Sequence, residues 1–480
     1  MTTEKSLKKS VFYNTIKIIL SLIFPLISFP YVSRVLLPDN IGKVNFATSI
    51  ISYFSMFAML GINAYGIREC AKLRDDKEKL STLTLELISI NSISMIISYL
   101  ILTISIFIVP KFFEYRILLI IYSATIIFNF MGMEWLYSGL EEFKYITIRS
   151  FIFQLLSIIS LFIFIKTKED YIKYSIISVC ATGGSNIFNL IHSRKFIDFK
   201  LVKKIFPLRH LRSITTMFGI SITASIFTML DTTMVGLLST SFQVGLYSAS
   251  IKGVKLVRSI ISVISSTLMP RVSYYVKTNN IQRFNELLEK NLNITLFFSI
   301  PATILFTINS PLVIQILSGK AYSSAIPCVQ IIALTIFFSS ISLIIDNQLF
   351  IPLNKEYLNL IGLVIGAVID FVLNCIFIPT KGAIGACIGT VVAEGVMFIY
   401  HIFFLIKYYG LLQLFKLTHF YLISGITLLL ICFITCFFNT NMISTLIISL
   451  IGSIIYILIL YFSKNPILYS ILKSFKGAKE

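Results

Sequence analysis

Residues 82–109 read TLTLELISINSISMIISYLILTISIFIV. The only formal charge in this stretch is the carboxylate of Glu86, near its start. A helix needs about 20 mainly apolar residues to cross the hydrocarbon of a bilayer. This stretch is longer than that. As a helix it would satisfy its own backbone N–H and C=O groups where no water is present to do so. It reads as a membrane-spanning helix.

Outward from it the same pattern recurs. Candidate spans cover 11–33, 44–67, 82–109, 115–137, 146–165, 171–192, 213–238, 243–268, 291–316, 323–350, 357–378, 383–406, 418–437 and 441–463, about fourteen in all. The longest connectors, near 193–212 and 269–290, hold only about twenty residues, too few to fold as an enzyme domain. The composition agrees: 56% of residues are apolar and 13% charged, with a mean hydropathy of +0.88. A soluble domain carries about a quarter charged residues. The fold class that follows is an all-α, polytopic membrane protein. The run 11–33 sits behind Lys5, Lys8 and Lys9, as a signal peptide would, but it is too long for one and no A-x-A site follows. It reads as a retained first span.

The 41 Lys and Arg against 22 Asp and Glu give a net charge of +19. A nucleic-acid partner is rejected, because the positive charge sits in short loops between apolar runs. It concentrates before the first span, in Arg68 to Lys79, in Arg194 to Arg212, and after the last span in Lys464 to Lys479. The positive-inside rule then places both termini in the cytoplasm. The seven cysteines lie mostly in apolar runs without a CxxC pair, and the four histidines show no metal-ligand spacing. Walker A, dinucleotide-binding and nucleophile-elbow motifs are absent. The expectation is a transporter with no cofactor, no metal and no catalytic residues.

A weak internal repeat joins the first two spans at residues 36–47 and spans seven and eight at 237–249. Both junctions run Leu-Leu, a short turn, then a glycine-containing, partly polar helix. Transporters are often built from such repeats. Within the eighth span, Ser248, Lys252, Lys255, Ser259, Ser262 and Ser266 recur at spacings that keep them on one helical face, with Arg258 beside them. Charge inside a membrane faces a cavity or a partner. So this stripe is either a wall of a water-filled cavity that attracts an anion, or a set of cations paired with acids such as Asp231. Asn14 and Lys17 on the first span and Asn45 on the second are further candidate substrate contacts. Asp231, Asp346, Asp370 and Glu394 stand in apolar surroundings. Each is a candidate to carry a coupling ion, or else a member of a fixed ion pair.

Several short motifs carry a resemblance. Phe29-Pro30-Tyr31-Val32-Ser33-Arg34-Val35-Leu36 is followed by Gly42, then by Leu60-Gly61-Ile62-Asn63-Ala64-Tyr65-Gly66-Ile67-Arg68-Glu69. Further on come Trp135-Leu136-Tyr137-Ser138-Gly139-Leu140-Glu141, Gly245-Leu246-Tyr247-Ser248-Ala249, Leu268-Met269-Pro270-Arg271, and Gly382-Ala383-Ile384-Gly385-Ala386 with Glu394. Together they resemble the bacterial polysaccharide flippases, the O-antigen and capsule repeat-unit translocases often called Wzx-type. Ser138 stands where that family commonly has Gln, so no role is carried over to it.

The resemblance implies the fold of the multidrug and oligosaccharidyl-lipid exporter superfamily: two six-helix lobes in a V plus two C-terminal helices. On the span count these are an N-terminal lobe over 1–210, a C-terminal lobe over 211–407, and 408–480 for the last two helices and a cytoplasmic tail. It implies an undecaprenyl-diphosphate-linked glycan moved across the bacterial cytoplasmic membrane by alternating access, with ion coupling. Membrane lipid, a polysaccharide polymerase and a chain-length regulator are the other expected partners. On this view Lys252, Lys255 and Arg258 would line the cavity between the lobes and neutralise the diphosphate. A drug or metabolite exporter on the same fold is the alternative, and a membrane polysaccharide polymerase a more distant one.

Overall fold

The computed structural model describes residues 4–437, 442–463, 465 and 468. Among the described residues the secondary structure is helical, with no strand. The main helices are α1 (Glu4–Met59), α2 (Lys77–Ile108), α3 (Arg116–Gly132), α4 (Phe143–Phe164), α5 (Tyr171–Gly183), α6 (Ile187–His192), α7 (Leu211–Leu238), α8 (Ser241–Lys277), α9 (Ile281–Ile308), α10 (Leu334–Ile345), α11 (Glu356–Lys381), α12 (Ala383–Tyr409), α13 (Leu411–Phe437) and α14 (Met442–Phe462).

The quoted stretch is α2, and its two faces explain why lipid is its solvent. Ile93, Ile96, Ile97, Leu100, Ile101, Ile104, Phe107 and Ile108 form the exposed face. Ser81, Thr84, Asn91, Ser94 and Ser98 are buried among Leu83, Leu87 and Ile90. Large apolar side chains point out and small hydroxyls point in, the inverse of a soluble helix. Small residues let helix backbones approach closely. Ser94 Oγ, for example, donates to the Ala58 carbonyl at 2.6 Å.

Length and apolarity mark eight membrane-crossing helices among the described residues, and a bent pair adds a ninth. The eighth predicted span is filled by the charged helix α8. The first two spans run as one element, α1, with a break at Leu37 (φ 65°) in place of the expected connector. Pro38 follows directly: its ring disfavours a helical ψ at Leu37, whose ψ is 168°, and it offers no N–H. The sixth span divides into α5 and α6 around a 3₁₀ turn, Gly184–Asn186, where the adjacent Gly183 and Gly184 weaken the helix. The tenth is bent by 41° between Lys320–Ile332 and Leu334–Phe350, and ends in a π-helical turn, Asp346–Phe350. Outside the spans, Asp170 starts α5. The Lys173 ammonium, 2.7 Å away, and the N–H groups of Lys166 and Thr167 hold its carboxyl well below the usual carboxylate range.

The chain divides into two compact units, Met1–Gly245 and Leu246–Glu480. In the first, α1 packs on α2, α3, α4 and α7. The span count alone divides the chain at 210/211; packing on α1 places α7 with the first unit. In the second, α11 and α12 form a hairpin, α10 packs between α9 and α12, and α13 lies on α9 and α14. Tyr421 of α13 fixes the last contact by donating to Asn293 of α9 at 3.0 Å.

Glu86, the one charge of the quoted stretch, is fully buried. It accepts from Arg209 Nη2 at 2.6 Å, from the Phe206 N–H at 2.6 Å, and lies 2.7 Å from His210 Nε2. Tyr65 Oη lies 2.6 Å from His210 Nδ1. A buried carboxylate persists only when paired and hydrogen-bonded. Here that network ties the 193–212 connector to α2.

Candidate functional site

The first unit holds a cavity of about 580 Å³ whose lining includes Ser52, Ser55, Asn129, Glu134, Thr182 and Asn186. The second half of α1 supplies the two serines, and Asn129 of α3 donates to Ser55 Oγ at 2.9 Å. The end of α3 shapes the rest. Met133 is left-handed (φ 39°) and starts the short helix Glu134–Gly139. Gly132 lacks the Cβ that would lie 2.7 Å from Asn186 Nδ2. Glu134 then sits between two cations. Lys17 Nζ of α1 is 3.2 Å from one oxygen, and Arg149 Nη2 of α4 is 3.7 Å from the other. Arg149 also donates to Asn186 Oδ1 at 3.0 Å. A cavity whose lining includes hydroxyls, amides and the Glu134 carboxylate can hold a polar solute that lipid excludes.

Sequence reading picked out Lys17 but missed Glu134, Asn129, Asn186 and Arg149. Glu134 stands one residue before the Trp135 motif, so the signal was there. Arg149 falls near the start of the predicted span 146–165, and its side chain is only 6% exposed within α4. Asn14 is half-buried on α1, and so is Asn45, whose Nδ2 takes no hydrogen bond among the described residues.

In the second unit the stripe lies on α8. Ser248 is buried, Lys252 half-buried and Lys255 exposed. Ser259 and Ser262 donate to carbonyls of their own helix, and the side chain of Ser266 lies outside the described residues. Arg258 has a carboxylate partner in Glu394 of α12. Arg258 Nη1 is 2.9 Å from Glu394 Oε1, and Ser339 Oγ donates to the other oxygen. Asp231 is buried on α7 in the first unit. Asp346 lies 3.2 Å from His401 Nε2, a ring with no exposure. Asp370 and Asn374 are buried on α11 against Gly389 of α12, where any Cβ would lie 3.0 Å from Asp370 Oδ1. Among the described residues no group of three His, Cys, Asp or Glu could hold a metal ion.

A family model described as polysaccharide biosynthesis protein matches residues 7–276, more than half of the chain. The chain belongs to the polysaccharide biosynthesis protein family. An Escherichia coli (strain K12) protein named as an O-antigen transporter is 24% identical over 363 residues, covering 74% of this chain and 86% of that one. Among solved structures, the lipid II flippase MurJ in an inward closed conformation superposes with a TM-score of 0.74 at 19% identity, over 95% of this chain and all of that one. An inward-facing multidrug resistance transporter of the MATE family, in the MOP superfamily, gives 0.59 at 13% identity, over 82% and 97%. These two likenesses establish the fold, a multi-pass helical membrane-protein fold.

In this polysaccharide biosynthesis protein the motif glycines build packing, and the motif charges lie at the surface. Gly61 (φ 77°) ends α1, and a Cβ there would lie 2.7 Å from the Phe218 nitrogen. The helix Ile62–Leu73 lies on Glu134–Gly139 through glycine contacts: Gly66 faces Trp135, and Gly139 faces Cys70. Tyr65 joins the Glu86 network. Arg68, Glu69 and Lys72 form a surface ion cluster, and Glu141 lies 3.5 Å from Arg74. Arg34 donates to the carbonyl of Pro30, one turn back on α1. Pro270 is exposed within α8. Gly42 is buried where α1 meets the start of α8.

Proposed function

We propose that this chain is a flippase for polysaccharide repeat units carried on undecaprenyl diphosphate. It would move them across the bacterial cytoplasmic membrane by alternating access, with both termini in the cytoplasm. The observation that carries this reading is the cavity in the first unit. It presents hydroxyl, amide and charged groups inside a unit whose outer face is apolar. Sugars need a polar path, and the polyprenyl chain needs only lipid. The diphosphate is the costliest part to move, and cations that form charge-assisted hydrogen bonds with it lower that cost. Lys252, Lys255 and Arg258, with Lys17, Asn14 and Asn45, are its proposed contacts. Asp231, Asp346, Asp370 and Glu394 are the proposed ion-coupling carboxylates. Relatives named for O-antigen transport support the substrate class.

The test is complementation. In bacteria lacking their own repeat-unit flippase, the wild-type chain is expected to restore surface polysaccharide. Accumulation of lipid-linked repeat units on the cytoplasmic side, with the protein present in the membrane, would overturn the reading. A multidrug exporter on the same fold would instead lower drug sensitivity without restoring polysaccharide.

A further inference from the structure

Arg149 lies between two cavities, one with hydroxyl and amide groups in its lining and the other more apolar. On one side it touches Glu134 and Asn186 of the polar cavity. On the other it lines a groove of about 470 Å³ with Tyr145, Ile148, Ile152, Phe153 and Phe188. Ile148, Ile152 and Phe188 are exposed, so in a bilayer this groove opens to hydrocarbon chains. Lys144 and Glu142, at the start of α4, also line it and offset one another in charge. The guanidinium carbon lies 5.8 Å from the Tyr145 ring, which stacks on His192 at 3.9 Å. One nitrogen of Arg149 is engaged by Asn186 and Glu134, while Nε and Nη1 are buried and take no hydrogen bond among the described residues. Buried, unspent donors cost free energy. A guanidinium is also the side chain best matched to phosphate oxygens.

Resting on the flippase reading, we infer that Arg149 binds the phosphate of the carrier lipid, with the chain in the groove and the glycan in the polar cavity. A lipid-linked glycan has three parts in series: an apolar chain, an anionic phosphate and hydroxylated sugars. The groove, Arg149 and the cavity follow in the same order. Glu134 faces the same guanidinium, so the phosphate takes its place there while Glu134 keeps Lys17, 3.2 Å away. Sequence reading placed the phosphate contacts on α8 and Lys17; this adds a site in the first unit on a different helix.

The test uses the purified full-length protein with geranylgeranyl diphosphate, geranylgeraniol and inorganic diphosphate as probes. Wild type is expected to bind the first most tightly. Arg149→Ala is expected to lose about tenfold or more of that affinity and none for geranylgeraniol, with Arg149→Lys between. Ile152→Trp fills the groove from its lipid side, away from the core. It is expected to weaken both chain-bearing probes alike and to leave inorganic diphosphate unchanged. Unchanged affinity for geranylgeranyl diphosphate in Arg149→Ala, with thermal unfolding like wild type, would overturn the inference. Should that variant misfold, unchanged affinity in Ile152→Trp overturns it equally. Displacement by phosphatidylglycerol at the same concentration would assign the groove to a bulk phospholipid and also overturn it. A wild type that complements export while both variants bind normally defeats this inference alone. A wild type that fails to complement defeats the functional reading instead.

Discussion

Replacing Lys252 and Lys255 together with alanine is expected to reduce polysaccharide export to background while leaving the protein at wild-type level in the membrane. The two lie on one face of α8, half-buried and exposed. A charge-assisted hydrogen bond contributes about 1.5–3 kcal/mol. Losing two would then weaken the hold on a diphosphate by roughly 10²-fold or more. Insertion is not impaired, because removing charge from a spanning helix makes insertion easier. Glutamate at both positions is expected to be worse than alanine, since repulsion adds to the lost attraction. Arginine at both is expected to retain part of the activity, the charge being kept and the geometry changed. Arg258 gives a less clean test. Its removal strands Glu394, a buried carboxylate, so loss of export there mixes a binding effect with a folding one. Surface polysaccharide and protein level are the two readouts. Full complementation by the double alanine variant would assign the lysines a packing or pairing role.

Gly42→Val and Gly245→Val are each expected to abolish export and lower the yield of folded protein. A Cβ at Gly42 would land inside van der Waals contact with the Ser241 carbonyl, and one at Gly245 would do the same to the Pro38 carbonyl. Both obstacles are backbone, so neither side chain can swing clear. Overpacking of a tight site costs about 1–3 kcal/mol even where side chains can adjust. The same contact is held by Ser241 Oγ donating to Asp39, whose other oxygen lies 2.7 Å from Lys43. Size-exclusion profile and thermal unfolding in detergent measure the folding loss. Variants with wild-type stability and export would show that this approach is looser than described.

These two glycines also show what the sequence could and could not disclose. The junctions at 36–47 and 237–249 were legible as a repeat, because the Leu-Leu turn and the glycine stand in both. That they pack against each other was not legible, since their contact spans some 200 residues and leaves no local period. Spans were legible wherever apolar residues run unbroken, as in α2. The breaks inside spans were not legible: Gly183 and Gly184 interrupt the sixth span, and a π-helical turn at Asp346 closes the tenth. The cation stripe was visible from its spacing, but the partner of Arg258 was not. Glu394 lies 136 residues away on α12, and no local spacing points to it. Glu134 and Arg149 escaped for the same reason. They stand on different helices, and only the packing of α3, α4 and the α5–α6 break brings them together beside the cavity.

The most direct measurement of the central claim is translocation in proteoliposomes. The purified chain is reconstituted with a fluorescent oligosaccharide on undecaprenyl diphosphate, and the fraction reaching the far leaflet is read by its accessibility to a membrane-impermeant quencher. Wild type is expected to show time-dependent loss of the inaccessible pool, and the Lys252, Lys255 double alanine variant none. Movement at the same rate in protein-free vesicles, in the double variant and in wild type would contradict it.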